Sequence, residues 1–230
     1  MSALVNTPLF GILLTLVAFE IGVLVSRKWK YAILNPILIG NVLIVGFLLS
    51  TGISLESYNI GGDYISVLLS PATVVLAVPL YRQISKLKRF WKPILAGIAI
   101  GSLTSISCVI FFCKLLGLSR TLMLSLLPKS ITIPMGSVVS EQIGGIPPVT
   151  IIAITITGIT GAVAAPAVCK FCRISHKVAQ GVAIGTASHA LGTTRAMEMG
   201  ETQGAMSSLS IGIAGLFTAI TAPLLLAVLS

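Results

Sequence analysis

The sequence predicts an all-α, polytopic integral membrane protein with about seven transmembrane helices plus one re-entrant or broken element, on three observations. Of its 230 residues, 55% are apolar and 9% charged, with a mean hydropathy of +1.04, so there are too few charges to cover a soluble surface. Six apolar segments, residues 8–25, 33–49, 65–81, 93–113, 148–168 and 206–229, approach or exceed the roughly 17–25 residues that a helix needs to cross a bilayer. The basic residues fall in three short patches: Arg27, Lys28 and Lys30; Arg82, Lys86, Lys88, Arg89 and Lys92; Lys170, Arg173 and Lys177. Each patch abuts an apolar segment, which is what the positive-inside rule produces.

That placement also accounts for the net charge of +9 without a nucleic-acid partner; attraction to anionic headgroups is a secondary effect of the same residues. The opening MSALVNTPLF has no basic n-region and no small-residue cleavage site, so the first apolar segment is expected to be a retained span. Cys108 and Cys113 lie inside an apolar segment and read as small packing residues. Cys169 and Cys172 form a C-x-x-C beside the third basic patch; without a second pair they are expected to be reduced thiols rather than a zinc site, and no cofactor is implied.

With the basic patches in the cytoplasm, the N-terminus and the loop 53–64, carrying Glu56 and Asp63, lie outside. Segments 8–25, 33–49, 65–81 and 93–113 then alternate direction. If 121–145 also crossed, the third patch would fall outside. A re-entrant path for residues 126–141, broken by Pro128 and Pro134, removes the conflict. Non-helical backbone at membrane depth is tolerated only where it is buried in protein or lines a cavity. The polar stretch after the third patch then leads outward to the turn around Glu198 and Glu201, and the last segment returns the C-terminus to the cytoplasm.

Sliding the chain by about half its length pairs ATVVLA (72–77) with ASHALG (187–192) and LAGIA (95–99) with SIGIA (210–214). Loop charge runs basic, acidic, basic in the first half and acidic, basic, acidic in the second. A single membrane domain over 1–230, built from inverted halves 1–115 and 116–230, is the reading these features suggest, provided each half makes an odd number of crossings.

Three stretches break the apolar pattern at membrane depth. In LLSPATVVLAVPLYRQ (68–83), Ser70 and Pro71 read as a cap and first turn. Such a buried N-terminus, with Thr73 beside it, suits an anion; the alternative is a Pro-kinked packing helix. In LPKSITIPMG (127–136), Lys129 stands with Ser130 and Thr132; a cation at the centre of a span costs about 2.5–3.5 kcal/mol on insertion scales, unless it snorkels to the interface. The third stretch, GTASHALGTTRAMEMGE (185–201), holds Ser188, His189, Thr193, Thr194 and Arg195. His189 and Thr193 share a helix face, and Arg195 and Glu198 are an i,i+3 pair. Mutual neutralisation at the interface and a packing histidine are the bland alternatives. His189, Glu198 and Glu20 are candidate proton carriers, although Glu20 also has the cytoplasmic interface near Arg27 within reach. No G-x-S-x-G, H-E-x-x-H or P-loop pattern is present, so no enzyme is expected.

Together, NPILIGNVL (35–43), SPATVVLAVPLYRQ (70–83), LPKSITIPM (127–135), IGGIP (143–147) and GTASHALGTTRAMEMGETQGAMSSL (185–209) resemble the LrgB/CidB family, in order and across nearly the whole chain. Two departures are Ser70 before Pro-Ala and the isoleucines 131 and 133 in the PKS motif. The resemblance implies a multi-pass protein of the bacterial inner membrane, often accompanied by a smaller LrgA/CidA-type partner, and a homo-oligomer. It implies either transport of small monocarboxylates such as glycolate, glycerate, lactate or pyruvate, or a holin/antiholin-like role in murein hydrolase export and autolysis. For a carboxylate, Lys129, Arg195 and the helix starts at residues 70–73 and 188–189 are the expected donors. Intramembrane cations and inverted halves favour transport.

Overall fold

A computed structural model describes residues 5–29, 36–68, 71 and 77–229. All regular elements among the described residues are α-helices: α1 (Pro8–Trp29), α2 (Pro36–Thr51), α3 (Leu55–Ser66), α4 (Ala77–Arg82), α5 (Ile84–Leu115), α6 (Arg120–Leu126), α7 (Ile133–Gln142), α8 (Pro147–Phe171), α9 (Lys177–Met199) and α10 (Glu201–Leu229). Four of these are long and apolar enough to cross a membrane: α1, Lys88–Leu115 of α5, α8, and Glu201–Leu225 of α10. The expectation of about seven such helices is therefore not matched among the described residues; α2 is apolar but shorter, and α9 is too polar.

These spans are inside-out relative to a soluble bundle. In α8 the buried side carries Thr150, Ile154, Gly158 and Ala162, while Ile152 and Ile156 are 60% exposed. In α1 the buried residues are Gly11, Ala18 and Gly22, and Leu13, Leu16 and Val17 face outward. Small residues inside and branched apolar ones outside are the mark of helices packed in lipid, where close backbone approach replaces the hydrophobic drive. The protein is a multi-pass membrane protein.

The chain forms two compact units, residues 1–75 and 76–230. In the first, α1 and α2 run antiparallel: Gly22 lies against Pro36, Gly40 against Ala18, and Phe10 meets Phe47 at 6.3 Å. The predicted external loop 53–64 is instead mostly α3. Ser54 caps it by accepting from Ser57 N at 3.2 Å, and Gly61 closes on Gly11, with 2.7 Å between its would-be Cβ and the Gly11 Cα. The predicted span 65–81 is covered only by the end of α3, Pro71 and α4; its residues 69, 70 and 72–76 lie outside the described residues.

In the second unit α5 and α10 run in the same direction. Ile94 and Ile98 pack with Ala205 and Met206, and Ile106, Val109 and Cys113 with Ala222. The 115-residue offset pairs these two helices, and inverted copies would run in opposite directions, so that pairing is corrected. α8 runs antiparallel to α5. His176, beyond the end of α8, meets the Phe90 ring edge-on at 5.4 Å near the start of α5.

Two segments double back. α6 and α7 are the arms of a first hairpin: Ile146 N donates to Ser125 Oγ at 2.8 Å and Thr150 Oγ1 to Ser125 O at 2.7 Å, so the chain leaves where it entered. Residues 126–141 thus double back, as the expected re-entrant path requires. α9 is itself a second hairpin. Gln203 Nε2 donates to Gln180 Oε1 at 3.1 Å, and Met197 sits against Gly204, so both arms start level with the first turn of α10. Deeper in, Gly185 and Thr193 both meet Ser207. The second hairpin thus enters from the end of the unit that carries Lys86 and Lys177, the first from the opposite end.

This overturns one topological expectation. Lys86 Nζ donates to Thr202 Oγ1 at 2.7 Å, which puts the turn after Glu198 beside the second basic patch rather than across the membrane from it. α9 turns back instead of crossing, so its six turns or so of helix do not carry the chain to the other side. If that basic end is cytoplasmic, α10 carries the C-terminus outward, the reverse of the expected orientation.

Both hairpins follow the same cap. After α5, Leu116 N, Gly117 N and Leu118 N donate to Phe112 O, Lys114 O and Cys113 O at 2.9, 3.2 and 2.9 Å. After α8, Cys172 N, Arg173 N and Ile174 N donate to Val168 O, Lys170 O and Cys169 O at 2.8, 3.1 and 2.8 Å. Gly117 and Arg173 are both left-handed, with φ of 64° and 55°, as a helix-ending cap of this type requires. The sequences CKLLGLS (113–119) and CKFCRIS (169–175) align without a gap.

The first hairpin is pinned by hydroxyls in its core. Thr150 Oγ1 also shares a 2.6 Å hydrogen bond with Ser140 Oγ, and Ser125, Ser140 and Thr150 are all 0% exposed. Thr150→Val should therefore cost about 1–3 kcal/mol, since it strands partners that have no water to turn to. Thermal unfolding in detergent checks this; an unchanged midpoint would show that the network adds nothing.

Candidate functional site

The first hairpin's tip is written into its prolines. Pro128 supplies no N–H to continue α6, and Pro134 occupies the first turn of α7, where a missing N–H costs nothing. Residues 127–132 between them leave the helical path. Lys129, half-buried, extends its Nζ to 3.3 Å from Ser130 Oγ and 3.5 Å from Ser105 Oγ on α5, and those two hydroxyls bond each other at 2.8 Å. No carboxylate pairs with Lys129 among the described residues; the ion pair found there is Arg195 with Glu198. Thr132 takes the cap position of α7 without a side-chain bond to its amides, so the positive end of α7 also opens at this tip.

The second hairpin turns on one residue. His189 has φ 42° and ψ −137°, backbone that a non-glycine residue adopts only at a cost of about 1–3 kcal/mol. Packing holds it: His189 Nε2 lies 3.0 Å from Ile154 O, and Thr193 Oγ1 donates to His189 O at 2.9 Å while sharing a 2.7 Å bond with Ser207 Oγ. Gly158 and Gly161 of α8 make room for His189 and Ser188, whose side chains occupy the places where a Cβ would stand.

The two tips converge on α8 and α5. Ile154 takes His189 on its carbonyl, and its side chain fills the space beside Gly136 of the first hairpin. On α5, Thr186 of the second hairpin covers Gly101, one turn before Ser105, which faces Lys129. Ser105 lies ten residues, or about 15 Å, inside the end of α5, well within the hydrocarbon thickness. Helix ends of both signs, one cation and a group of hydroxyls therefore meet at membrane depth. That arrangement can hold a small anion.

Of the residues expected at a site, Lys129, Ser130, Thr132, Ser188, His189 and Thr193 lie at or beside the tips. Thr194 and Arg195 do not: both are exposed, Thr194 Oγ1 bonds Ala190 O at 3.3 Å, and Arg195 pairs with Glu198 on the outer part of the hairpin. Because an exposed pair is worth about 0–1 kcal/mol, Arg195→Ala should leave the melting temperature of the protein within about 4 °C of the parent. Glu20 is exposed on α1 in the first unit. Ser70 and Thr73 lie outside the described residues, and Pro71 is exposed. Sequence reasoning passed over Ser102, Ser105 and Thr186. The run GSLTSIS (101–107), dense in hydroxyls for a span, was the available signal.

A family model described as the LrgB-like family matches residues 15–228. The chain belongs to the LrgB-like family. It is 38% identical over 219 residues to the antiholin-like protein LrgB of Bacillus cereus (strain B4264), covering 95% of each chain. The antiholin-like protein LrgB of Bacillus anthracis (strain CDC 684 / NRRL 3495) matches with the same identity and coverage. No solved structure matches the chain. The LrgB-like match spans both hairpins and both tips.

Proposed function

We propose that this LrgB-like protein is a secondary transporter of small monocarboxylates in the bacterial inner membrane, working by alternating access. The observation that carries this reading is Lys129: a cation at the tip of a re-entrant hairpin, at membrane depth, with hydroxyls and no carboxylate around it. An intramembrane charge without a partner of opposite charge is expensive and marks a ligand path by default. Opposed hairpins entering from the two ends supply the rest. Each can uncover the tips to one side while the other stays closed, and the span-and-hairpin pairs α5–α7 and α8–α9, with their matching caps, have the relation of inverted copies. The basic end is taken as cytoplasmic. His189 is the candidate proton carrier at the tips. A small LrgA/CidA-type partner and a homo-oligomer belong to the same reading, and no catalytic step is assigned.

A second reading rests on the relatives' name, antiholin-like: an oligomer that controls a lesion or the export of murein hydrolases. Liposomes holding the purified protein and a fluorescent dye separate the two. Transport gives saturable uptake of labelled lactate or glycolate with the dye retained. Dye loss without selectivity would sink the transport reading in favour of the second.

A further inference from the structure

Six cations at the basic end of the second unit come from two patches far apart in the chain. Lys88, Arg89 and Lys92 lie at the start of α5; Lys170, Arg173 and Lys177 lie at the end of α8, in the loop after it and at the start of α9. The edge-on contact of His176 with Phe90 at 5.4 Å joins the two groups, and Phe90 packs on the cluster that holds Ile94 and Val178. The backbone leaves the helical path at Phe90, with φ −114° and ψ 18°, since Pro93 offers the Arg89 carbonyl no N–H. All six cations are exposed, and none has a carboxylate: the ion pair among the described residues joins Arg195 to Glu198. The other acid at this end, Glu201, stands in the first turn of α10 beside Thr202, which Lys86 engages. The positive-inside rule accounts for a basic end, but like charges gathered at one junction repel each other unless an anion joins them. Aromatic rings set the level of the junction. Arg89 lies over the Phe90 ring at 5.3 Å and Lys92 over the Trp91 ring at 5.7 Å. Trp91 and Phe171, next in sequence to Lys92 and Lys170, are 51% and 88% exposed, and rings so placed mark the lipid headgroups.

We infer that this junction is a binding site for an anionic lipid whose headgroup bears two phosphates, one taken by each group of cations. A lipid with one phosphate answers the charge of one group and leaves the other facing it. Two linked phosphates answer both, which is the preference of basic pockets between membrane helices at headgroup level. The exposed rings then meet the lipid's apolar part, which a soluble phosphate does not have. Bound there, the lipid ties the start of α5 to the start of the second hairpin, α9. The site does not depend on the transport reading and stands whichever function the protein has.

The test titrates the purified full-length protein in detergent with cardiolipin, phosphatidylglycerol and phosphatidylcholine, and follows binding by native mass spectrometry. Cardiolipin should bind saturably, about fivefold or more tighter than phosphatidylglycerol at equal phosphate, with phosphatidylcholine weakest. Arg89→Gln combined with Lys177→Gln removes one cation from each group and should weaken cardiolipin binding about 30-fold. Lys114→Gln combined with Arg120→Gln removes the same charge at the far end of α5 and should leave binding unchanged. All four side chains are exposed and outside any ion pair among the described residues, so both double variants should fold as the parent does. Equal weakening by the two double variants, or cardiolipin and phosphatidylglycerol bound alike, would overturn the inference and leave only a diffuse basic field. Inorganic pyrophosphate displacing the lipid at matched concentration would overturn it too, by making this a site for soluble phosphates.

Discussion

Lys129→Met should reduce carboxylate uptake by about 100-fold or more, the loss expected when one partner of a desolvated charge pair, worth about 2–5 kcal/mol, is removed. Methionine keeps the length of the side chain and its apolar stem, so the tip stays filled and only the charge goes. The same substitution should leave the melting temperature unchanged or raise it. A cation at membrane depth costs about 2.5–3.5 kcal/mol to insert, and no carboxylate among the described residues offsets that cost. Function lost with stability kept identifies a residue held for its ligand. A variant that unfolds instead would make Lys129 a structural donor to Ser105 and Ser130, and one that transports normally would remove it from the site.

Gly185→Val should lower the melting temperature in detergent by about 5–10 °C, on a cost near 3 kcal/mol. A Cβ there would stand 2.8 Å from Ser207 Cα and 2.9 Å from Ser207 C. These are backbone atoms of α10 that cannot swing aside, and valine adds two further methyl groups. The inner arm of α9 must then lift away, taking with it the Thr193–Ser207 bond that steadies the His189 turn. Gly212→Ala is the control: it lies in the same helix α10 with nothing within 4 Å of its would-be Cβ, and should be neutral or slightly stabilising. Equal melting of Gly185→Val and the parent would mean the hairpin is not packed against α10 as described.

Membrane character was legible because hydropathy is additive: long apolar stretches such as 148–168 must be helical wherever they pack, since lipid offers the backbone no partner. The break at residues 127–132 was legible for an equally local reason, as Pro128 and Pro134 forbid continuous helix and Lys129 resists lipid. The reversal at His189 was not. No glycine or proline stands at that position, and a left-handed histidine is unfavourable in isolation; the carbonyl of Ile154 and the space at Gly158 and Gly161, some 30 residues away, stabilise it. Read as a sequence, α9 is therefore one helix that crosses. That single error separated Glu198 from the second basic patch, beside which the turn back at His189 places it.

The pairing of halves failed for a related reason. Matches such as LAGIA with SIGIA reflect small residues that every packed span needs, and such matches say nothing about direction. The better-matched stretches, CKLLGLS and CKFCRIS, are loop caps whose likeness lies in backbone bonds and left-handed turns. By itself, the sequence determined the solvent of this protein, its LrgB-like membership and the cation that a ligand would meet, since these follow from composition and local chemistry. Only the tertiary structure decided which segments turn back, and that Ser105, Lys129, Thr186 and His189 gather around α5 and α8. Those outcomes depend on contacts between residues far apart in the chain, whose energy no local pattern encodes.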